Sequence, residues 1–180
     1  MAVADQGLVL VSGPSRGGKS RWAETLVKDC LNVTYVATSA PRPNDSSWQE
    51  RLSLHRKRRP NHWALLECST NLPEALSDVA PDQALLIDAL GGFVASGLEL
   101  DASNWECRCQ ALIDTLVAHP QKVVVVIEET GWGVVPATAI GGLFRDRQGA
   151  LAQRLEQRSA QSWLVLQGRA LDLHALGVPI

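Results

Sequence analysis

Residues 13–20 read GPSRGGKS, between the apolar run LVLVS (8–12) and a segment of helical spacing, RWAETLVKDC (21–30). The eight residues match GxxxxGK[ST] at every fixed position, and the pattern carries meaning in this context of strand, tight loop and helix. Such a loop turns its backbone N–H groups inward around phosphate oxygens, and the following helix adds its positive N-terminus. Gly17 and Gly18 let the chain approach closely. Lys19 is then placed to reach the β- and γ-phosphates of a nucleotide, and the Ser20 hydroxyl to meet Mg²⁺.

The loop also sets the kind of fold around it. Further short apolar runs follow at VTYVAT (33–38), WALLEC (63–68), ALLIDAL (84–90), KVVVVIEE (122–129) and SWLVLQG (162–168). Most are continuous rather than alternating, as strands buried on both faces require. Helical spacing lies between them at about 18–30, 45–59, 72–79, 103–118 and 138–160. Alternation of this kind predicts a parallel α/β sheet covered on both sides, and 180 residues suit one domain over 1–180. The loosest stretch, SAPRPNDSS (39–47), reads as a surface loop on the ligand side of the sheet.

Composition excludes several classes. A net charge of −2 provides no general attraction to nucleic acid or acidic membranes. No apolar stretch approaches the roughly 18 residues of a membrane span, and MAVADQG has no signal-peptide character. The four cysteines (Cys30, Cys68, Cys107, Cys109) form no CxxC pair, so they are expected free and reduced, which fits the cytoplasm.

Two further features carry chemistry. A loop that cradles phosphates needs a carboxylate for the metal, and Asp88 stands at the end of ALLIDAL. Glu128 and Glu129 end another strand, where a carboxylate either binds metal, ribose or base, or is simply solvated. The second feature is RLSLHRKRRP (51–60). On a helix over 45–59, Trp48, Arg51, His55, Arg58 and Arg59 share one side, and Pro60 ends it. Neighbouring cations disfavour protonation of an imidazole and attract a triphosphate. On these residues alone a solvated basic face, a nucleic-acid patch and a nucleophilic histidine all stay open.

The order of motifs resembles the bifunctional adenosylcobinamide kinase / adenosylcobinamide-phosphate guanylyltransferase family of cobalamin biosynthesis. The likeness runs through GPSRGGKS with RWAE, VTYVATS, RLSLHRKRRP, HWALLE, LLIDAL, GWGVVP (131–136) and FRDRQGALAQRL (144–155). It covers nearly the whole chain in one order and spacing. The resemblance implies a P-loop, RecA-like three-layer fold with a mostly parallel central sheet flanked by helices. It also implies two reactions. Adenosylcobinamide is phosphorylated with ATP or GTP, and GMP then passes from GTP to that phosphate through a guanylyl-histidine.

By the same resemblance His55 is the nucleophile, and Lys19 acts on the phosphates together with Ser12, Gly13, Pro14, Ser15, Arg16, Gly17, Gly18 and Ser20. Ala37, Thr38 and Ser39 match a nucleotide-contacting segment, and Arg56, Lys57, Arg58 and Arg59 the run behind the histidine. Glu67 and Asp88 match acids near guanine or metal, with Ser20 and Asp88 on Mg²⁺. His62 is out of register with the nucleophile. The implied partners are the corrinoid, the nucleotide and further copies of the chain, as a trimer. This chain departs from the family's pattern at Ser47, Trp48, Ala89, Gly91, Ser96, Glu128, Thr130, Ala139, Gly142 and Ala152. Those departures bear mainly on the kinase half and the corrinoid surface. Another P-loop kinase or NTPase, a diverged relative that only binds nucleotide, and a nucleic-acid-binding ATPase are the competing readings.

Overall fold

A computed structural model describes residues 6–41 and 43–180, except for the side chains of Trp48 and Arg51. The reading of the first five residues, Arg42 in the predicted loop, and those two side chains therefore lie outside the described residues.

Seven strands form one sheet: β1 (Leu8–Gly13), β2 (Val33–Ala37), β3 (Ala64–Glu67), β4 (Ala84–Asp88), β5 (Val123–Glu128), β6 (Gln161–Leu166) and β7 (Arg169–Asp172). Their order is β3-β2-β4-β5-β1-β6-β7. All neighbouring pairs are parallel except β6–β7. The helices are α1 (Lys19–Val27), α2 (Ser46–Arg58), α3 (Leu72–Ser77), α4 (Gly91–Ala95), α5 (Ala102–Ala118), α6 (Ala139–Glu156) and α7 (Leu173–Leu176).

The continuous apolar strands serve two cores at once. From β1, Leu8 and Leu10 face one cluster with Leu112, Leu116, Leu151 and Leu155 of α5 and α6. The alternate residues Val9 and Val11 face the other, with Ala23 and Val27 of α1. Period-two alternation across a sheet with helices on both faces accounts for this split. The predicted three-layer α/β architecture with a mostly parallel sheet is thus observed.

Three elements were not anticipated. Gly91–Ala95 begins with two glycines, poor helix formers, yet Leu90, Phe93 and Val94 are buried and hold it. A side chain at Gly92 would collide with the Thr38 backbone and hydroxyl, so only glycine lets α4 pack there. The short strand β7 depends on its hairpin with β6, closed by Gln167 and Gly168, both at positive φ. Nothing local in RALD marks it as a strand; its partner does. Asp172 caps α7 by accepting from the His174 and Ala175 N–H groups.

Candidate functional site

β1 delivers the loop 13–20 at the carboxyl end of the sheet, directly beside β5 and β6. The Gly17 N–H donates to the Pro14 carbonyl at 3.2 Å and closes the turn. Arg16 takes φ 60°, and Gly13 and Gly18 take φ 144° and 111°. A Cβ on Gly13 would run into the Val165 carbonyl, and one on Gly17 would lie 2.7 Å from the same oxygen. The β6–β7 hairpin therefore presses on the loop from behind, and the Gly168 N–H donates to the Gly17 carbonyl at 2.9 Å. Ser12 donates to the Trp163 carbonyl at 3.3 Å and anchors the loop's entry. The first-turn amides of α1 have no acceptors within the helix, so they face the cradle with their donors available to an anion. Lys19 is buried and donates to the Pro14 carbonyl at 2.7 Å. Its ammonium thus lies across the loop it is expected to serve.

Across the sheet, Asp88 ends β4 and Glu128 ends β5, the strand between β4 and β1. The Gly91 N–H donates to Glu128 Oε2 at 3.0 Å, and Gln148 Nε2 donates to both the carboxylate and the backbone carbonyl of Glu128 at 3.3 Å. Of the two acids at the end of β5, Glu128 faces the site. Glu129 accepts from the Gly131 N–H and shapes the next turn, while its own N–H donates to the Gly13 carbonyl.

Burial, the largest influence, raises the Glu128 carboxyl above its ordinary value; hydrogen bonds from its own backbone and from Gly91, and Lys19, oppose it, and Asp88 adds to it. The folded state therefore holds this proton to higher pH than the unfolded chain, and ionisation of Glu128 costs stability as pH rises above the ordinary carboxylate range. Glu128→Gln, which keeps an acceptor for Gly91, is expected to raise the melting temperature at neutral pH. The gain should shrink towards zero in acid, as thermal melts across pH will read.

α2 brings His55 over Asp88, with Nδ1 3.8 Å from Asp88 Oδ2 and 3.4 Å from Arg58 Nη2. The hydroxyl of Tyr35, the chain's single tyrosine, donates to the same Asp88 oxygen at 3.0 Å. Burial first, and then the Asp88 carboxylate, hold that hydroxyl protonated well above its ordinary range. The Arg59 guanidinium lies 3.8 Å from the Tyr35 ring centroid, and its Nε donates to the His55 carbonyl at 3.2 Å. Tyr35 thus links the helix carrying His55 to the carboxylate at the end of β4. Tyr35→Phe is expected to cost about 1–3 kcal/mol of stability, since a hydrogen bond to a charged group is lost. It should also slow chemistry at His55 several-fold in kcat with KM for nucleotide unchanged; denaturation and single-turnover kinetics test the two parts.

The basic run is more engaged than a phosphate clamp requires. Arg58 makes a two-pronged contact with Glu24 of α1 at 3.0 and 3.3 Å, which ties α2 to the helix after the phosphate loop. Arg56 pairs loosely with Glu67 at 3.9 Å, both well exposed, and Lys57 is exposed. Glu67 sits on edge strand β3, three strands from β5, and among the described contacts its ion pair is with Arg56. Thr38 is fully buried just past the end of β2, with its hydroxyl bonded to the Ala89 carbonyl. Ala37 is partly buried, and Ser39 and His62 are exposed. Tyr35, Glu24, Gly91 and Gln148 were absent from the sequence candidates. Of these only Tyr35, a polar-tipped ring inside an otherwise apolar strand, left a trace in the sequence.

Among the described residues no three His, Cys, Asp or Glu side chains gather as a self-sufficient metal site, and no helix is long and apolar enough to cross a membrane.

Solved structures share this fold. A protein from Pyrococcus horikoshii OT3 superposes with a TM-score of 0.57 at 7% identity, over 95% of this chain and 87% of that one. An ATPase of a bacterial type III secretion system superposes with a TM-score of 0.54 at 7% identity, over 97% and 60%. The mostly parallel sheet flanked by helices is accordingly the α/β fold that these structures share. Among curated proteins, the bifunctional adenosylcobalamin biosynthesis protein CobU of Salmonella typhimurium is 36% identical over 89% of this chain and 96% of its own length. CobU of Escherichia coli is 33% identical over the same shares, and CobP of Pseudomonas aeruginosa 32% over 91% and 95%. The sequence profile described as cobinamide kinase / cobinamide phosphate guanyltransferase matches residues 9–173. With that match spanning every strand of the sheet and relatives aligned almost end to end, the chain belongs to the cobinamide kinase / cobinamide phosphate guanyltransferase family.

Proposed function

We propose that this chain, as one nucleotide-binding domain over 1–180, phosphorylates a cobinamide hydroxyl with ATP or GTP and then transfers GMP from GTP to that phosphate through His55. Its substrates are the nucleotide and the corrinoid. The observation that carries the histidine's role is the meeting of His55 and Asp88 at the carboxyl ends of the strands, on the loop's side of the sheet. Attack through Nε2 requires the Nδ1 proton to point to Asp88, 3.8 Å away, and so requires the Arg58 guanidinium, which can only donate and stands 3.4 Å from Nδ1, to turn aside when nucleotide binds. Nε2 attacks the α-phosphorus of GTP; the N–P bond forms, the bond to the oxygen bridging to the β-phosphate breaks, and pyrophosphate leaves. The phosphate of the corrinoid later displaces His55 and carries the GMP away. In the kinase step the corrinoid hydroxyl oxygen attacks the γ-phosphorus, the bond to the oxygen bridging to the β-phosphate breaks, the nucleoside diphosphate leaves and the hydroxyl proton passes to solvent, while Lys19 and the backbone of 13–20 stabilise the transferring group.

Mg²⁺ fits the oxygen donors available, the Ser20 hydroxyl and the Asp88 carboxylate, with the remaining positions left to phosphate and water, as this ion prefers. When bound it neutralises charge on the phosphates. The reading extends to a trimer in the cytoplasm, on the family resemblance.

The test is to incubate the protein with GTP labelled at the α-phosphate and Mg²⁺. An acid-labile, base-stable protein adduct is expected. Absence of any adduct would sink the guanylyl-histidine.

A further inference from the structure

A notch of about 230 Å³ opens beside the phosphate loop, between the first turns of α1 and the β6–β7 hairpin. Gly18, Arg21, Trp22, Val165, Gly168 and Ala170 form most of its wall. It is rigidly tied to the loop. The Gly168 N–H bonds the Gly17 carbonyl, and the Val165 carbonyl fills the space that side chains at Gly13 and Gly17 would need. Trp22 is braced edge-on against Trp163, with ring centroids 5.0 Å apart.

Strand order gives the site a direction. From β1, the strand before the loop, β5 with Glu128 and β4 with Asp88 lie on one side, and β6 and β7 on the other. At about 4.8 Å between strands, Asp88 and the notch stand on opposite flanks of the loop, each roughly one to two strand spacings away. The Asp88 carboxylate at the end of β4, proposed above for Mg²⁺, marks its side as the end where a terminal phosphate reacts, with the buried Lys19 lying across the loop. A nucleotide lying along the loop with its γ-phosphate there must carry its nucleoside towards β6 and β7.

We propose that this notch holds the purine base of the phosphoryl donor. The inference rests on the nucleotide reading of the loop and deepens it. His55 lies on the Asp88 flank, so in this pose it faces the γ end of the donor and not the α-phosphorus. The GTP that guanylylates His55 therefore lies the other way round, with its pyrophosphate towards the loop and its base away from the notch. The two reactions use one phosphate loop and two base positions.

The test compares ATP with inorganic triphosphate, which lacks the base, in equilibrium binding to the full chain. Stacking of a base is worth enough to make the wild type prefer ATP about tenfold or more. Ala170→Leu, which fills the notch from β7, is expected to erase that preference while triphosphate affinity stays unchanged. Thr25→Leu fills it from the exposed surface of α1 and repeats the result if the β7 variant folds poorly. Labelling of His55 by GTP labelled at the α-phosphate should persist in both variants. An ATP preference that survives both substitutions overturns the proposal. Label lost in step with ATP binding overturns it too, because one base position would then serve both reactions. A wild type that binds neither compound refutes the phosphate-loop reading itself, and the inference falls with it.

Discussion

His55→Ala is expected to abolish the guanylyl adduct completely and to lower GMP transfer by on the order of 10³ or more, because the covalent route loses its only nucleophile. The phosphorylation step should continue in the same variant. Its parts are the loop 13–20, Lys19 and Asp88, none of which His55 holds in place: Asp88 keeps its hydrogen bond from Tyr35, and Lys19 its bond to Pro14. α2 also stays tied to α1 through Arg58 and Glu24, so loss of the ring does not release the helix. The measurement is twofold: autoradiography for the adduct, and phosphate-ester formation from ATP for the kinase step. Label that persists in His55→Ala would place the covalent chemistry elsewhere.

Lys19→Ala is expected to reduce phosphorylation by roughly 10²–10³, the usual cost of removing one donor aimed at developing charge. The native lysine is buried against its own loop, so its ammonium is already inside the cradle before nucleotide arrives. The substitution removes a positive charge from that site and frees the Pro14 carbonyl, while the glycine turn keeps its Gly17–Pro14 and Gly168–Gly17 bonds. Adduct formation should also fall, since the pyrophosphate leaving group meets the same lysine in the reversed pose. Initial rates of both steps decide the point. Turnover left intact in Lys19→Ala would show that the loop is not the phosphate cradle.

The two variants together bear on how the halves of the chemistry are divided. Asp88 stands between them. Its Oδ2 takes the Tyr35 hydroxyl and faces His55, while the end of β4 lies one strand from β5, the neighbour of the strand that carries the loop.

Much of this was legible in the chain. GPSRGGKS announced its loop because the turn is written in backbone conformation, and glycine at positions 13, 17 and 18 is what permits it. The central strands β1, β2, β4 and β5 showed as continuous apolar runs because both of their faces are buried. His55 was identified by its place in an ordered series of motifs rather than by its own surroundings. The series could not say what touches it. The contacts that define its role join residues far apart in the sequence: His55 with Asp88, Tyr35 with Asp88, Arg58 with Glu24, and the hairpin at Gly168 with Gly17. These depend on the strand order β3-β2-β4-β5-β1-β6-β7, which sets neighbours by packing of whole elements and leaves no local periodicity behind. The sequence alone determined that a phosphate loop opens a parallel α/β sheet and that a basic helix follows its second strand. Only the tertiary structure decided that half of the basic run is spent on holding that helix, that Glu128 faces the site while Glu129 turns away, and that a notch flanks the loop opposite His55.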